Sequence, residues 1–390
     1  MFFAIVLAVL GLLYGYTGWR LIQALRLTSP WSILAWVLVA VLLVLPLATL
    51  RLRDAALPTW LHQAMAWVGY LGLGFFCLAF TLCLMRDLGW LIFRGGEALA
   101  SLTGAGPIDP ERRALLSRGT ALAVLAASAI GTGYGWYAAR HRLQVFRVEV
   151  PLAGLPPAFD GFRLVQISDL HVGLTIDREL VCRVVETVNG LAPDLIALTG
   201  DLVDGEVAHL RTEVASLAGL RAPHGAFFVT GNHEYYNDDP LAWLKEIRRL
   251  GFTVLLNEHR IVERNGARLV IAGVTDHSSG DRLEGHRSDV AAAVAGAPAD
   301  LVRLLLAHQP RSIEAAARVG CHLQLSGHTH GGQFIPWTFV VPLQQPYLAG
   351  LHRHGDTWIY VNRGAGYWGP PLRLGVPAEV TELTLRCAPA

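Results

Sequence analysis

The run Phe162-Arg163-Leu164-Val165-Gln166-Ile167-Ser168-Asp169-Leu170-His171 decides how this chain is read. A short apolar stretch containing β-branched residues breaks off into Ser, Asp and His. That is how a buried strand looks when it delivers polar side chains at its carboxyl end. The arrangement recurs. Residues 195–199 run into Gly200-Asp201-Leu202-Val203-Asp204, and 226–230 into Gly231-Asn232-His233-Glu234. Residues 302–307 run into His308, and 322–325 into Ser326-Gly327-His328-Thr329-His330-Gly331-Gly332. In layered α/β folds ligands bind outside the carboxyl ends of the strands. These side chains can therefore converge although more than 150 residues separate the first from the last. Further strands are expected at 269–274, 358–361 and 379–385, and helices at 178–189, 207–220, 241–250 and 311–319. From about residue 143 onward the pattern predicts one α/β domain, large enough for a single core.

The local spacing points to metal ligation. In extended chain, residues i and i+2 face the same way. Asp169 with His171, and His328 with His330, are each expected to reach one ion together. The glycines beside them permit tight turns and close backbone approach to an anionic ligand. Each fragment alone is common on protein surfaces, but five at successive strand ends are not. Carboxylate and amide oxygens with imidazoles suit Mn²⁺, Fe or Zn²⁺, and no thiolate in the set forces zinc. His233 follows Asn232 and in extended chain would point away from it. It is the candidate to protonate a leaving oxygen or steady a transition state, the alternative being a structural support.

In this order, the five segments resemble the motifs of the calcineurin-like metallophosphoesterases over about residues 162–385. The chain is similar to the membrane-anchored bacterial branch of that family, some members of which act on phospholipid-like or nucleotide-lipid substrates. The resemblance implies a β-sandwich flanked by helices, with a two-metal centre on its edge. Carried over residue by residue, Asp169, His171 and His330 would hold one divalent ion. Asn232, His308 and His328 would hold the other, and Asp201 would bridge both. The implied reaction is hydrolysis of a phosphoester by in-line attack of a metal-bridging hydroxide, with His233 assisting the leaving group. Two such ions, their two aspartates and a hydroxide leave a net charge of about +1, which attracts an anionic substrate. Arg363 and Asp276, each following a predicted strand, are candidate substrate contacts, with an ion pair and a loop role as the alternatives. Asp204 reads either as a support for a ligand or as a helix N-cap.

Residues 1–142 have a different texture. Four runs, 1–19, 31–50, 64–85 and 119–139, carry no charged side chain. Each has about the length that crosses some 30 Å of hydrocarbon as a helix. Trp19, Trp31, Trp60 and Trp136 lie near their ends, as at membrane interfaces. The expected organisation is a transmembrane domain of four helices over 1–142 and a metallophosphoesterase domain over 143–390. Loops one and three carry seven arginines (Arg20, Arg26, Arg86, Arg94, Arg112, Arg113, Arg118), and the other side carries five (Arg51, Arg53, Arg140, Arg142, Arg147). The positive-inside rule then puts loops one and three in the cytoplasm and everything after Arg142 outside it. Arg112-Arg113-Ala114-Leu115-Leu116 reads either as a twin-arginine export signal kept as an anchor, which agrees, or as an ordinary basic loop. A multi-pass protein of the bacterial inner membrane is expected, with an extracytoplasmic catalytic domain. Its expected partners are the bilayer and a phosphoester, membrane-associated or lipid-linked. The apolar, proline-rich stretch 334–348 suits an acyl chain or the bilayer, or else a packed loop.

Composition narrows the classes. Charged residues are only 16% against 53% hydrophobic, well below the charge of a soluble chain, so part of the protein is expected in lipid. The net charge of +1 gives no whole-chain basic field, which argues against bulk nucleic-acid binding. Five cysteines, odd in number and unclustered, make neither a zinc-finger spacing nor a disulfide framework. A non-catalytic metal-binding scaffold should have lost a ligand or the proton donor, and all eight residues are present. An accessory domain of a transporter or receptor should accompany ionisable residues inside the spans, and the four runs hold none.

Overall fold

The computed structural model describes residues 2–52, 57–101, 109–236 and 239–388, with the side chains of residues 2–6 and 97–101 outside the description. Two units emerge. One comprises Met1–Tyr137 with Gly369–Leu374, and the other Ala138–Trp368 with Gly375–Ala390.

In the first unit the uncharged runs fold as helices: α1 (Phe2–Leu25), α2 (Trp31–Arg51), α3 (Thr59–Ser101) and α4 (Pro110–His141). Among the described residues three stretches are long and apolar enough to cross a membrane: Trp31–Arg51, Thr59–Gly96 and Pro110–His141. The outward surface of α2 carries apolar side chains such as Ile33, Leu34, Val37 and Val41, while the exposed charges of the other two stretches, such as Arg94 and Arg112, lie towards their ends. Inside the bundle, Tyr14 stacks on Phe76 with ring centroids 4.1 Å apart. The segment Gly369–Leu374 joins this unit. Leu372 fills the space a side chain at Gly74 or Gly135 would need, and Arg373 N donates to Gly135 O at 2.9 Å.

The second unit holds twelve strands among the described residues. They are β1 (Leu143–Leu152), β2 (Arg163–Ile167), β3 (Leu195–Leu198), β4 (Ala226–Phe228), β5 (Phe252–Val254) and β6 (Glu258–Arg264), then β7 (Ala267–Gly273), β8 (Arg303–Leu306), β9 (Leu323–Ser326), β10 (Gly350–His354), β11 (Thr357–Val361) and β12 (Ala378–Cys387). They form two six-stranded sheets, in the orders β1-β12-β2-β3-β4-β5 and β10-β11-β9-β8-β7-β6. Both sheets are mixed. β2 to β5 run parallel, with β12 antiparallel to β2. β7, β8, β9 and β11 run parallel, with β6 and β10 antiparallel at the flanks. Crossover helices α5 (Arg178–Gly190), α6 (Val207–Val214) and α7 (Pro240–Arg249) cover the first sheet, and α8 (Val290–Val294) and α9 (Ile313–Arg318) the second.

The side-chain alternation shows why the central strands read as unbroken apolar runs. Leu164, Leu195 and Ala197 meet Leu269, Ile271, Leu304, Leu306, Leu323 and Leu325 between the sheets. Val165, Ile167, Ile196 and Leu198 turn the other way, onto Val181, Val184 and Val188 of α5. Leu305, Ala307, Ile359 and Val361 turn onto Val290, Ala293, Ile313 and Ala316. A strand covered on both faces has no polar side to show. Each such Leu, Ile or Val contributes about 1.5–3 kcal/mol on burial. Side-chain caps mark where α5 and α7 start. Asp177 accepts from Leu180 N at the start of α5, and Asp239 from Ala242 N at the start of α7, with Pro240 in its first turn.

Candidate metal centre

β2, β3 and β4 are parallel neighbours in one sheet, and β8 and β9 in the other. The loops at their carboxyl ends are stapled together. Asp169 N donates to Gly200 O and His171 N to Asp201 O, each at 3.1 Å, and Gly327 N donates to His308 O at 2.9 Å. The extended chain expected at these positions is not what forms. Asp169, His171, Asp201, His328 and His330 all take positive φ, between 50° and 71°. L-residues seldom enter this region, and each costs of order 1–3 kcal/mol unless its surroundings over-determine it. Tight left-handed turns, rather than the two-residue repeat of a strand, aim these side chains at one place. Gly200 and Gly331 take the positive φ that the expected tight turns require, and two other glycines make room for side chains. A side chain at Gly231 would collide with the Asp201 carboxylate, and one at Gly327 with Asp169 and Ser168 Oγ. Only glycine leaves room for the two aspartates.

The seven residues expected to ligate are brought together and are largely buried. His330 Nε2 lies 3.1 Å from His171 Nε2 and 3.5 Å from Asp169 Oδ1. On the other side, His308 Nε2 lies 3.2 Å from Asn232 Oδ1, 3.2 Å from His328 Nδ1 and 3.1 Å from Asp201 Oδ2. Asp201 Oδ2 is also 3.7 Å from His171 Nε2. Asp169, His171 and His330 form one group whose donor atoms all lie within 4.8 Å of one another, and Asp201, His308 and His328 form a second.

The chemistry of this donor set fits cations. His308 Nδ1 faces the carbonyl of Thr199 at 2.8 Å, which makes it the N–H side and leaves the Nε2 lone pair facing the cluster. His171 Nδ1 faces the Asp204 carboxylate at 2.9 Å, with the same result. Lone pairs of imidazoles, carboxylates and an amide thus converge at close range. Such an arrangement needs positive charge between them, from protons or from metal ions. The titration behaviour follows. Burial opposes the charged form of His308, yet Asp201 outweighs it and lifts the imidazole well above its usual pKa. Burial likewise pushes the Asp201 carboxyl up, but His308 and His233 hold it well below the carboxylate range. His328 is pushed down to about 3 by burial and by the neighbouring His308.

His233 sits at the edge of the cluster, opening a short 3-10 turn, His233–Tyr236. Its backbone N donates to Asp201 Oδ1 at 2.8 Å, and its Nδ1 lies 2.7 Å from Asp204 Oδ1. Burial disfavours its protonation, but Asp201 and Asp204 raise its pKa to about 9. The rings of Tyr236 and Trp368 stand 4.9 and 5.6 Å from the imidazole, and both are about half exposed. Asp204 therefore serves two imidazoles through one oxygen. It is not the cap of α6, whose N-cap is Glu206 without a side-chain bond. Arg363 is engaged by the buried Glu379 at 2.5 Å and lies over the Phe146 ring. Asp276 accepts from Gln309 Nε2 at 3.0 and 3.1 Å, beside His308. Two residues went unread in the sequence. Glu234, inside a quoted motif, is fully buried and accepts from Gly231 N, Leu202 N and Asp201 N, clamping two of the loops. Trp368 had no signal at all, being placed beside His233 by tertiary folding alone.

A cluster of His, Asp and Asn where strand ends of two mixed sheets meet is a donor set that could hold metal ions. The chain belongs to the calcineurin-like phosphoesterase family, whose profile matches residues 162–332. A "Transmembrane protein with metallophosphoesterase domain" from Bos taurus is 38% identical over 309 residues, covering 77% of this chain and 68% of its own length. The protein of the same description from Danio rerio is 35% identical, covering 82% of this chain and 72% of its own. "Uncharacterized metallophosphoesterase YkuE" from Bacillus subtilis is 33% identical, covering 67% of this chain and 93% of its own. The protein is a metal-dependent phosphoric ester hydrolase.

Proposed function

We propose that this chain is a membrane-anchored phosphoesterase that uses two divalent cations to hydrolyse a membrane-associated or lipid-linked phosphoester or pyrophosphate. The observation that carries the reading is the place of Asp201. Its Oδ2 stands 3.7 Å from His171 on one side and 3.1 Å from His308 on the other, so one carboxylate is shared by both donor groups. In this reading Asp169, His171 and His330 hold one cation, Asn232, His308 and His328 the other, and Asp201 touches both. The donor set suits Mn²⁺, Fe or Zn²⁺. When bound, such a pair supplies a hydroxide nucleophile at neutral pH and positive charge for the phosphoryl oxygens.

The chain's own residues do the rest. With Nδ1 of His233 turned to Asp204, the proton it lends the departing oxygen leaves from Nε2. Tyr236 and Trp368 would flank the alcohol part of the substrate. A lipid-linked substrate is supported by the exposed Ile335, Trp337, Phe339, Val340 and Leu343, which lie just beyond His330. Residues 1–142 would anchor the chain through four spans, α1 being the fourth, and 143–390 would form the catalytic domain. The arginine asymmetry supports an extracytoplasmic catalytic domain at a bacterial inner membrane. The test is metal analysis of the purified protein with a hydrolysis screen over lipid and soluble phosphoesters. Asp201→Asn should lose more activity than any other ligand change, with metal content falling to one ion or none. Two retained ions with near-normal turnover would sink the shared-ligand reading.

A further inference from the structure

The helical unit contains a polar cluster for which phosphoester hydrolysis has no use. Arg20 of α1 and Arg86 and Asp87 of α3 meet beside Tyr16. Asp87 Oδ1 accepts from Arg20 Nη2 and from Arg86 Nε and Nη2, the latter two at 3.3 and 3.2 Å. Its Oδ2 accepts from Tyr16 OH at 2.5 Å. One carboxylate is thus taken up by three side chains, and the two guanidiniums outnumber it by one positive charge. The Arg86 side chain is only 8% exposed. Its Nη1 and Arg20 Nε are buried N–H groups with no acceptor among the described residues. The apolar cluster that α1 and α3 form with α4 (Leu21, Ala79, Cys83, Ala121 and Val124) brings no carboxylate. Two guanidiniums that share one carboxylate and keep buried donors unfilled are disfavoured unless a further anion joins them.

We propose that this cluster binds a phosphate oxyanion, supplied by the headgroup of an anionic phospholipid. The location favours that source. Arg20 directly follows the uncharged run 1–19, and Arg86 directly follows the run 64–85. Both therefore stand where hydrocarbon gives way to headgroups, alongside Trp19, whose ring lies 5.2 Å from the Arg20 guanidinium. A planar fork of N–H donors matches phosphate oxygens, and basic pockets between helices near a membrane surface recognise anionic headgroups. The site rests on the helices spanning a bilayer but not on the phosphoesterase chemistry.

The experiment uses the full chain, purified in neutral detergent and stripped of lipid. Thermal unfolding and native mass spectrometry would follow titration with short-chain phosphatidylglycerol, with phosphatidylcholine, and with inorganic phosphate. Phosphatidylglycerol should bind and raise the unfolding temperature, and phosphatidylcholine should do so far less. Arg86→Gln should weaken phosphatidylglycerol binding about tenfold or more, as expected for loss of a charge-assisted pair. Arg86→Lys keeps the charge but loses the fork, and should fall between. Arg94→Gln, an exposed position on the same helix, should bind like wild type. Equal affinity of wild type and both Arg86 variants would overturn the proposal. So would equal binding of the two lipids by the wild type, a measurement that needs no variant. Saturation by millimolar inorganic phosphate without lipid preference would assign the site to the free anion and overturn the lipid source. A chain that stays in solution without detergent would overturn the membrane reading itself, a result distinct from either.

Discussion

Replacing Asp204 tests whether one carboxylate governs both a ligand and the proton donor. Its Oδ1 lies 2.9 Å from His171 Nδ1 and 2.7 Å from His233 Nδ1, and the two rings pack edge to face with centroids 4.5 Å apart. In Asp204→Ala both N–H groups lose their acceptor, at about 1–3 kcal/mol for each donor left buried and unsatisfied. For His171, loss of such a partner typically costs about 10–100-fold in metal affinity or activity. For His233, complete loss of proton donation would cost about 10²–10⁴-fold, and a misaligned ring retains part of it. The expected fall in kcat is therefore about 10²–10³-fold, with weaker metal retention. Asp204→Asn behaves differently, because both imidazoles use the same oxygen. An amide oxygen in that place can still accept from both, so only the charge is lost and about tenfold is expected. Steady-state kinetics on a soluble aryl phosphoester, with metal content measured on the same preparations, separates the cases. An Ala variant holding two ions and turning over within about threefold of wild type would refute the reasoning. An Asn variant as impaired as Ala would show that charge, not the acceptor's position, is what matters.

Other outcomes follow from the same geometry. His233→Ala should keep its metal but slow turnover by about 10²–10⁴-fold for an alkyl leaving group and far less for a nitrophenolate, which hardly needs a proton. Equal losses for both would instead mean that His233 stabilises the phosphoryl group. Gly327→Ala should lower thermal stability by about 1–3 kcal/mol and reduce metal content, since the added methyl meets Asp169 and Ser168. Unchanged melting and metal content would contradict the packing described. A phosphatase reporter fused at Leu143 should be active if the catalytic domain is extracytoplasmic. Activity of a cytoplasm-dependent reporter at that point would invert the topology.

Much of the fold was legible in the sequence, and the part that was not has a common position. The eight expected strands correspond to β2, β3, β4, β7, β8, β9, β11 and β12. The four unexpected ones, β1, β5, β6 and β10, are the edges of the two sheets. Most interior strands are covered on both faces and paired on both sides, so their sequences are largely apolar, although β12 mixes Glu and Thr with its Val and Leu. An edge strand pairs on one side and shows a face to water. β1 accordingly carries Arg147 and Glu149 among its apolar residues, and β6 carries His259, Arg260 and Glu263. β5 is only three residues long. Such segments look like loops until their partners are known.

At the site, the sequence by itself determined which residues could act. Asp, Asn and His at strand ends are a local property, because a strand's carboxyl end and its first turn lie within a few residues of each other. What only the tertiary structure decided is how those residues are aimed. The positive φ at Asp169, His171, Asp201, His328 and His330 is held by bonds between loops far apart in sequence, such as Asp169 N to Gly200 O. The sharing of Asp204 between His171 and His233, the Glu234 clamp across two loops and the Trp368 ring beside His233 all join residues separated by tens to more than a hundred positions. No periodicity or spacing encodes such contacts. They arise only when the two sheets pack and bring five strand ends to one place.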